Sequence, residues 1–267
     1  MWRHTRDRFG GASFLDYTYN DVANMIDHSL LSPALTWNEL DNGIALALAY
    51  DVASVCILPY ALPHCAQRLR GSNVRASSTV GFPHGGHTTA IKLAEARQAL
   101  ADGAQELDMV VNISKVLSRD WSYVGSDIAA VVDLTHSAGQ KVKVIFENAY
   151  LKDEHKIRLC EICAELRADW VKTSTGYAPS GATDADLALM RQHSPPHVQV
   201  KAAGGIRDLD ALLRVRALGV TRCGATRTAS ILDEARRRLA LSPIEIQSGN
   251  GGINPAFTLV GDLPRPS

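Results

Sequence analysis

No stretch of this 267-residue sequence approaches the roughly 20 consecutive apolar residues that a membrane span requires. The charged start, Met1 to Arg8, has no apolar segment behind it, so a secretory signal is not expected and the cytoplasm is the expected compartment. A basic excess is missing too. Lys and Arg number 28 against 28 Asp and Glu, which leaves no charge for holding nucleic acid. Cysteine is sparse and odd in number, five in all, so a disulfide framework is excluded. Cys160 and Cys163 have redox or metal spacing, but they fall in 154–167, which reads as a helix without a second ligand pair. His84-Gly85-Gly86-His87 likewise lacks a third and fourth ligand. Neither a metal nor an external cofactor is expected.

What the chain does have is 46% hydrophobic residues over a length that suits one large domain. Residues 1–17 are polar and irregular and read as a flexible extension, 18–241 as the folded unit, and 242–267 as a tail. Asn20 or Asp21 is placed to cap a short helix ahead of a first strand over 25–31. Helix-period segments follow at 36–50, 88–102, 121–138, 152–167, 183–193, 208–218 and 226–239. They alternate with β-rich runs near 51–57, 75–80, 105–112, 141–147, 168–173, 198–202 and 220–223. About eight strands alternating with helices predict an α/β fold with a parallel sheet, either a closed (β/α)8 TIM barrel or a doubly wound open sheet. The barrel is favoured because Asp27, Asp108, Glu147, Lys172 and Lys201 all fall at or near the C-terminal ends of predicted strands, where barrel active sites lie.

Two of these residues stand out. Lys172 interrupts the apolar run Trp170-Val171 just before Thr173-Ser174-Thr175-Gly176, and Lys201 ends the alternation Val198-Gln199-Val200 just before Ala202-Ala203-Gly204-Gly205. If both end adjacent parallel strands, their backbones lie about 4.8 Å apart, and one ammonium must lose its proton near neutrality. A neutral lysine amine attacks carbonyl carbon. The alternative for Lys172 alone is a side chain that snorkels to solvent. In Glu106 to Asn112, period two points Asp108 and Asn112 into the barrel. In Lys141 to Glu147 it points Lys141, Lys143, Ile145 and Glu147 inward, and Val142, Val144 and Phe146 toward helices. Asp108 and Asp27 are then the partners a buried Lys143 needs, in a network that is either catalytic or an inert ion-pair cluster. Glycine-bearing loops after the last three strands, at Gly176, Gly204-Gly205 and Gly224, suit either close approach to a phosphate or tight turns alone.

With these residues in place, the sequence resembles the class I deoxyribose-phosphate aldolases. The resemblance rests on Met25-Ile26-Asp27-His28-Ser29-Leu30-Leu31, Ser54-Val55-Cys56, Gly81-Phe82-Pro83-His84-Gly85 and Gly103-Ala104-Gln105-Glu106-Leu107-Asp108. It continues through Lys143-Val144-Ile145-Phe146-Glu147, Val171-Lys172-Thr173-Ser174-Thr175-Gly176 and Lys201-Ala202-Ala203-Gly204-Gly205. It implies a metal-free barrel that cleaves 2-deoxy-D-ribose 5-phosphate reversibly into D-glyceraldehyde 3-phosphate and acetaldehyde, in deoxyribonucleoside catabolism. Lys172 would form the Schiff base, Lys201 would lower its pKa, and Asp108 would move protons through a water. Asp27 and Lys143 would belong to the proton relay and Cys56 would lie near the pocket. The phosphate would be met by Thr175, Gly176, Gly204, Gly205, Gly224, Ala225 and Thr226, with Arg207 and Arg227 as candidate cations. A homodimer or homotetramer is compatible with this assignment.

The sequence departs from the family pattern at two places. No tyrosine follows Tyr177, whereas several members end in one. Tyr177 itself follows Gly176 where some members carry lysine, and Arg227 follows Thr226 where a small hydroxyl residue is common. The competing readings are a lysine-dependent aldolase with another aldehyde acceptor and a non-catalytic phosphosugar-binding barrel.

Overall fold

The computed structural model describes residues 16–244. The extension over 1–17 and the tail over 242–267 lie almost wholly outside them; of the extension, Tyr17 is described and is buried against the core. Eight parallel strands close into a barrel in sequence order, each beside the next and the last beside the first. They are β1 (Ile26–Leu30), β2 (Ser54–Ile57), β3 (Arg75–Val80), β4 (Glu106–Val110), β5 (Lys141–Ile145), β6 (Trp170–Lys172), β7 (Gln199–Ala203) and β8 (Arg222–Ala225). Around them run α1 (Tyr19–Ala23), α2 (Trp37–Ala49), α3 (Leu62–Leu69), α4 (Thr89–Ala101), α5 (Ile113–Leu117), α6 (Trp121–Ser137), α7 (Asp153–Glu165), α8 (Asp184–Gln192), α9 (Leu209–Ala217) and α10 (Thr228–Arg238). Among the described residues no helix is long and apolar enough to cross a membrane.

The period-two reading holds in the layer between strands and helices. Leu107, Met109, Val142, Val144, Phe146, Val171, Val200 and Ala202 are all fully buried there, each apolar side chain of Val size or larger contributing about 1.5–3 kcal/mol. Helix starts follow side-chain capping: Thr36, Thr88, Asp120, Thr183 and Asp208 each accept from a backbone N–H one turn on. In α1 the cap is Thr18, not Asn20 or Asp21; Asp21 instead closes a capping box back onto the Thr18 N–H, 2.7 Å away. The sequence reading has no helix between β2 and β3, where α3 carries Pro63 in its first turn, a position that favours proline.

Three inward assignments need correction. Asn112 lies past the end of β4, and its side chain accepts from the Lys115 N–H to cap α5. Lys141 is the first residue of β5, at the N-terminal rim, where its ammonium is half exposed, 3.4 Å from Asp169 and over the Trp170 ring. Glu147 is buried, but β5 ends at Ile145 and Glu147 turns into a left-handed conformation with φ 59°.

Candidate active site

Strand register assembles the site. Lys172 and Lys201 are direct lateral partners on β6 and β7, and Asp108 and Lys143 are partners on β4 and β5. All four side chains face the barrel interior and are buried. Asp108 is the hub. Its Oδ2 accepts from Lys172 Nζ at 2.7 Å and from Lys201 Nζ at 2.9 Å, and its Oδ1 accepts from Lys143 Nζ at 2.8 Å. Asp27, on β1, pairs with Lys201 at 2.5 Å in a contact too oblique for a hydrogen bond, and Lys143 lies 3.7 Å away.

Two members of this network are absent from the sequence-based candidates. Arg222, the first residue of β8, donates to both Asp27 and Glu106, and Glu106, the first residue of β4, also accepts from Lys143 at 2.5 Å. Glu106 alternates with Leu107 and Asp108, and Arg222 with Cys223, so the same period-two rule places both side chains inside. Below them Trp170 forms a floor, its ring centroid 5.0 Å from the Arg222 guanidinium and 5.6 Å from Lys143 Nζ.

The electrostatics separate the three lysines. Burial works against the charge on each. On Lys143 the carboxylates of Asp108, Glu106 and Asp27 outweigh it, and on Lys201 those of Asp108 and Asp27 do, so both pKa values lie above the ordinary lysine value. On Lys172 burial prevails: the Asp108 carboxylate opposes it most strongly, and the Lys201 ammonium adds to the depression, so its pKa lies below the ordinary value. Lys172 is therefore the one of the three shifted toward a free amine. Burial also opposes charge on Asp108 and Asp27, but the surrounding cations prevail and hold both well into the ionised form.

Of the other candidates, Cys56 is buried on β2 beside Ser77, whose hydroxyl reaches Asp108 at 3.4 Å; burial pushes its thiol up, away from thiolate chemistry. Burial also raises the Cys160 thiol to about 11 and that of Cys163 well above the ordinary value. Among the described residues no three His, Cys, Asp or Glu side chains converge on a metal position.

Glycine loops follow β6 and β7 as read, but Gly224, read as part of a loop after the last strand, lies within β8, where it pairs with Asp27 and Ala203. Gly204 packs on Gly181 so closely that an added Cβ would lie 2.7 Å from the Gly181 Cα, and its φ of 81° independently favours glycine. Gly176 and Gly205 are exposed with positive φ, and Gly224 lies over Lys201 Cε. Ala225 is buried in β8. Thr175 is engaged elsewhere: its amide and its hydroxyl both donate to Glu147. Thr226, Arg207 and Arg227 are exposed, and the two arginine side chains form no hydrogen bond or ion pair with the described residues. Arg227 stands at the start of α10.

A closed (β/α)8 barrel with a buried lysine, its pKa lowered by burial and a neighbouring ammonium, inside its C-terminal mouth has the make-up of a class I aldolase, a carbon-carbon lyase. The DeoC/LacD family aldolase model matches residues 22–226, and the chain belongs to that family. It is 67% identical over 238 residues to the deoxyribose-phosphate aldolase of Rhodopirellula baltica, covering 89% of this chain and 99% of that one. It is 42% identical to that of Thermococcus gammatolerans, over 81% and 97% of the two chains. Among solved structures, the aldolase QR15 superposes with a TM-score of 0.78 at 34% identity, over 83% of this chain and 99% of the other. The tetrameric deoxyribose phosphate aldolase from Aeropyrum pernix gives 0.75 at 29% identity, over 81% and 92%.

Proposed function

We infer that this chain cleaves 2-deoxy-D-ribose 5-phosphate reversibly into D-glyceraldehyde 3-phosphate and acetaldehyde through a Schiff base on Lys172. The observation that carries this reading is the bracket of Lys172 and Lys201 on one carboxylate oxygen of Asp108, with only Lys172 shifted toward the free amine. The Lys172 amine attacks C1 of the open-chain sugar and water leaves, which gives an iminium. The iminium withdraws electrons from the C2–C3 bond. Loss of the C3 hydroxyl proton breaks that bond, releases D-glyceraldehyde 3-phosphate and leaves an enamine, which is protonated at C2 and hydrolysed to acetaldehyde and free lysine.

Asp108 handles protons through a water, and Lys201 holds down the Lys172 pKa by charge. Lys143 keeps Asp108 oriented and ionised and Asp27 holds Lys201 in place beside it, with Arg222 and Glu106 behind them. The backbone around Gly176, Gly204, Gly205 and Gly224 receives the phosphate, with α10 starting nearby. A homodimer or homotetramer working in the cytoplasm completes the reading, supported for assembly by the tetramer of the Aeropyrum pernix relative.

Acetaldehyde with borohydride tests the mechanism, because only an iminium is captured that way. The expected product is one ethyl group, mapped by peptide mass to Lys172. Labelling elsewhere with activity retained would refute it.

A further inference from the structure

The chemistry above leaves Tyr177 without a role, although it sits five residues beyond Lys172, on the loop that follows β6. Its hydroxyl donates to the backbone carbonyl of Leu31, just past β1, at 2.7 Å. Its ring meets Phe82, just past β3, edge to face, with centroids 5.6 Å apart and planes at 87°. In the closed strand order β6 is separated from β1 by β7 and β8, and from β3 by β4 and β5. A side chain rooted after β6 that touches the loops after both β1 and β3 therefore lies across the middle of the mouth. Beneath it the side chains of Lys172, Lys201 and Asp108 face the interior. The exposures agree: Tyr177 is 48% exposed while Lys172 is 3% exposed.

Both ends of this bridge are fixed. At the root, the Tyr177 N–H donates to Thr175 Oγ1 at 3.1 Å, and Thr175 is itself clamped to the buried Glu147. At the Phe82 end, the Gly81 N–H donates to Glu95 at 2.7 Å, and Gly85 packs directly on the Val111 carbonyl. The phenol is partly desolvated, which pushes its pKa up and keeps it a proton donor to Leu31.

We propose that Tyr177 roofs the reaction chamber and is a specificity-determining residue, limiting the size of the aldehyde that reaches the lysines beneath it. The proposal builds on the Schiff-base reading of Lys172. Longer aldehydes, deoxyribose 5-phosphate among them, must unlatch the phenol from Leu31 or displace it from Phe82; the sugar does so with the binding energy of its phosphate, which butanal lacks, whereas a two-carbon aldehyde passes beside it.

Reductive trapping with acetaldehyde and with butanal, in separate reactions, reads the roof directly. In each, the amine and aldehyde lose water to form the imine, and borohydride adds hydride to its carbon, leaving a secondary amine with an ethyl or butyl group. The rate ratio of butyl to ethyl labelling is followed by peptide mass in the unaltered protein, Tyr177→Phe and Tyr177→Ala. Tyr177→Phe keeps the ring and loses one hydrogen bond, so the ratio should rise roughly 2- to 12-fold. Tyr177→Ala opens the mouth and should raise it by roughly 10-fold or more, the discrimination that a single methylene carries in an apolar pocket. Thermal melting and circular dichroism should be unchanged, since Tyr177 is half exposed. A ratio unchanged in Tyr177→Ala with the fold intact overturns the roof. Labelling of Lys201 in place of Lys172 refutes the nucleophile assignment alone, because Lys201 lies under the same roof and the ratio still reads it. Labelling of neither lysine in any of the three proteins overturns both.

Discussion

Replacing Lys201 by leucine should raise the pKa of Lys172 and convert a neutral-pH enzyme into an alkaline one. Both ammonium nitrogens lie on Asp108 Oδ2, at 2.7 and 2.9 Å, so they are within roughly 5 Å of each other. At that separation and an effective dielectric of about 20, their repulsion is about 3 kcal/mol, a factor of about 100 in the protonation equilibrium of Lys172. Removing Lys201 also leaves Asp108 with one cation fewer, which favours the Lys172 ammonium further. The free-amine fraction at pH 7 should therefore fall about 100-fold, and kcat/KM with it. The assay is kcat/KM for deoxyribose 5-phosphate from pH 6 to 10.5. The variant should regain activity at about tenfold per pH unit until pH reaches the new pKa. A loss of equal size at every pH would refute the argument and give Lys201 a direct part in proton transfer. Circular dichroism at each pH separates this from unfolding, since Asp27 keeps Arg222 and Lys143 as partners.

Lys172→Ala should abolish cleavage and borohydride labelling at that position while leaving the melting curve nearly unchanged, because the side chain points into the barrel mouth and not into the helix-facing core. Arg222→Met should cost about 3–5 kcal/mol in urea unfolding, because it leaves Asp27 and Glu106 buried with one cation fewer; a cost below about 1 kcal/mol would show that Lys143 and Lys201 neutralise both acids unaided. Asp27 and Asp108 have folded pKa values below the ordinary carboxylate value, so their stabilisation is complete above about pH 4 and is lost as pH falls below it, each steepening the decline by about 1.4 kcal/mol per pH unit. Unfolding free energies measured from pH 5 to pH 2.5 should show that decline, with Asp27→Asn less steep by one proton; equal slopes would refute the assignment. Arg207→Ala and Arg227→Ala test the phosphate loops: an arginine that reaches the phosphate should on removal raise KM for deoxyribose 5-phosphate by roughly 10- to 150-fold and leave unphosphorylated deoxyribose unaffected. Equal effects on both substrates, or none, would show that neither arginine binds the phosphate.

The lysine pair was legible because each lysine follows an apolar run and precedes glycine-bearing loop sequence, and a closed parallel barrel converts such repeats into lateral neighbours, although Lys201 stands in the middle of β7 and only Lys172 ends its strand. Asp108 was legible from alternation within β4. The same alternation covers Glu106 and Arg222, yet a strand-end charge is also what a solvent-exposed rim looks like, and Lys141 at the first position of β5 is a case of that kind. What separates Arg222 from Lys141 is three-dimensional: Asp27 and Glu106 converge on Arg222 from strands that are distant in sequence. Local pattern fails in the loops for the same reason. The left-handed turn at Glu147 and the reach of Tyr177 to Leu31 depend on partners 28 and 146 residues away.

The buried charges also explain why a barrel core tolerates so many of them. Each carboxylate meets at least two cations: Glu106 meets Lys143, Arg222 and Arg75, Asp27 meets Arg222 and Lys201, and Asp108 meets three lysines. Toward the mouth this compensation thins, until Lys172 has Asp108 as its single partner and must share that oxygen with Lys201. An ammonium with one shared carboxylate and little water around it is the least stabilised charge in the network, and it is the one that most readily gives up a proton. Lys143 and Lys201 pass through equally buried interior but each meets more than one carboxylate, so they remain cations. The nucleophile is thus selected by its place at the end of the ladder of charges, and any substitution that gives Lys172 a second acid should silence it at neutral pH without touching the lysine itself.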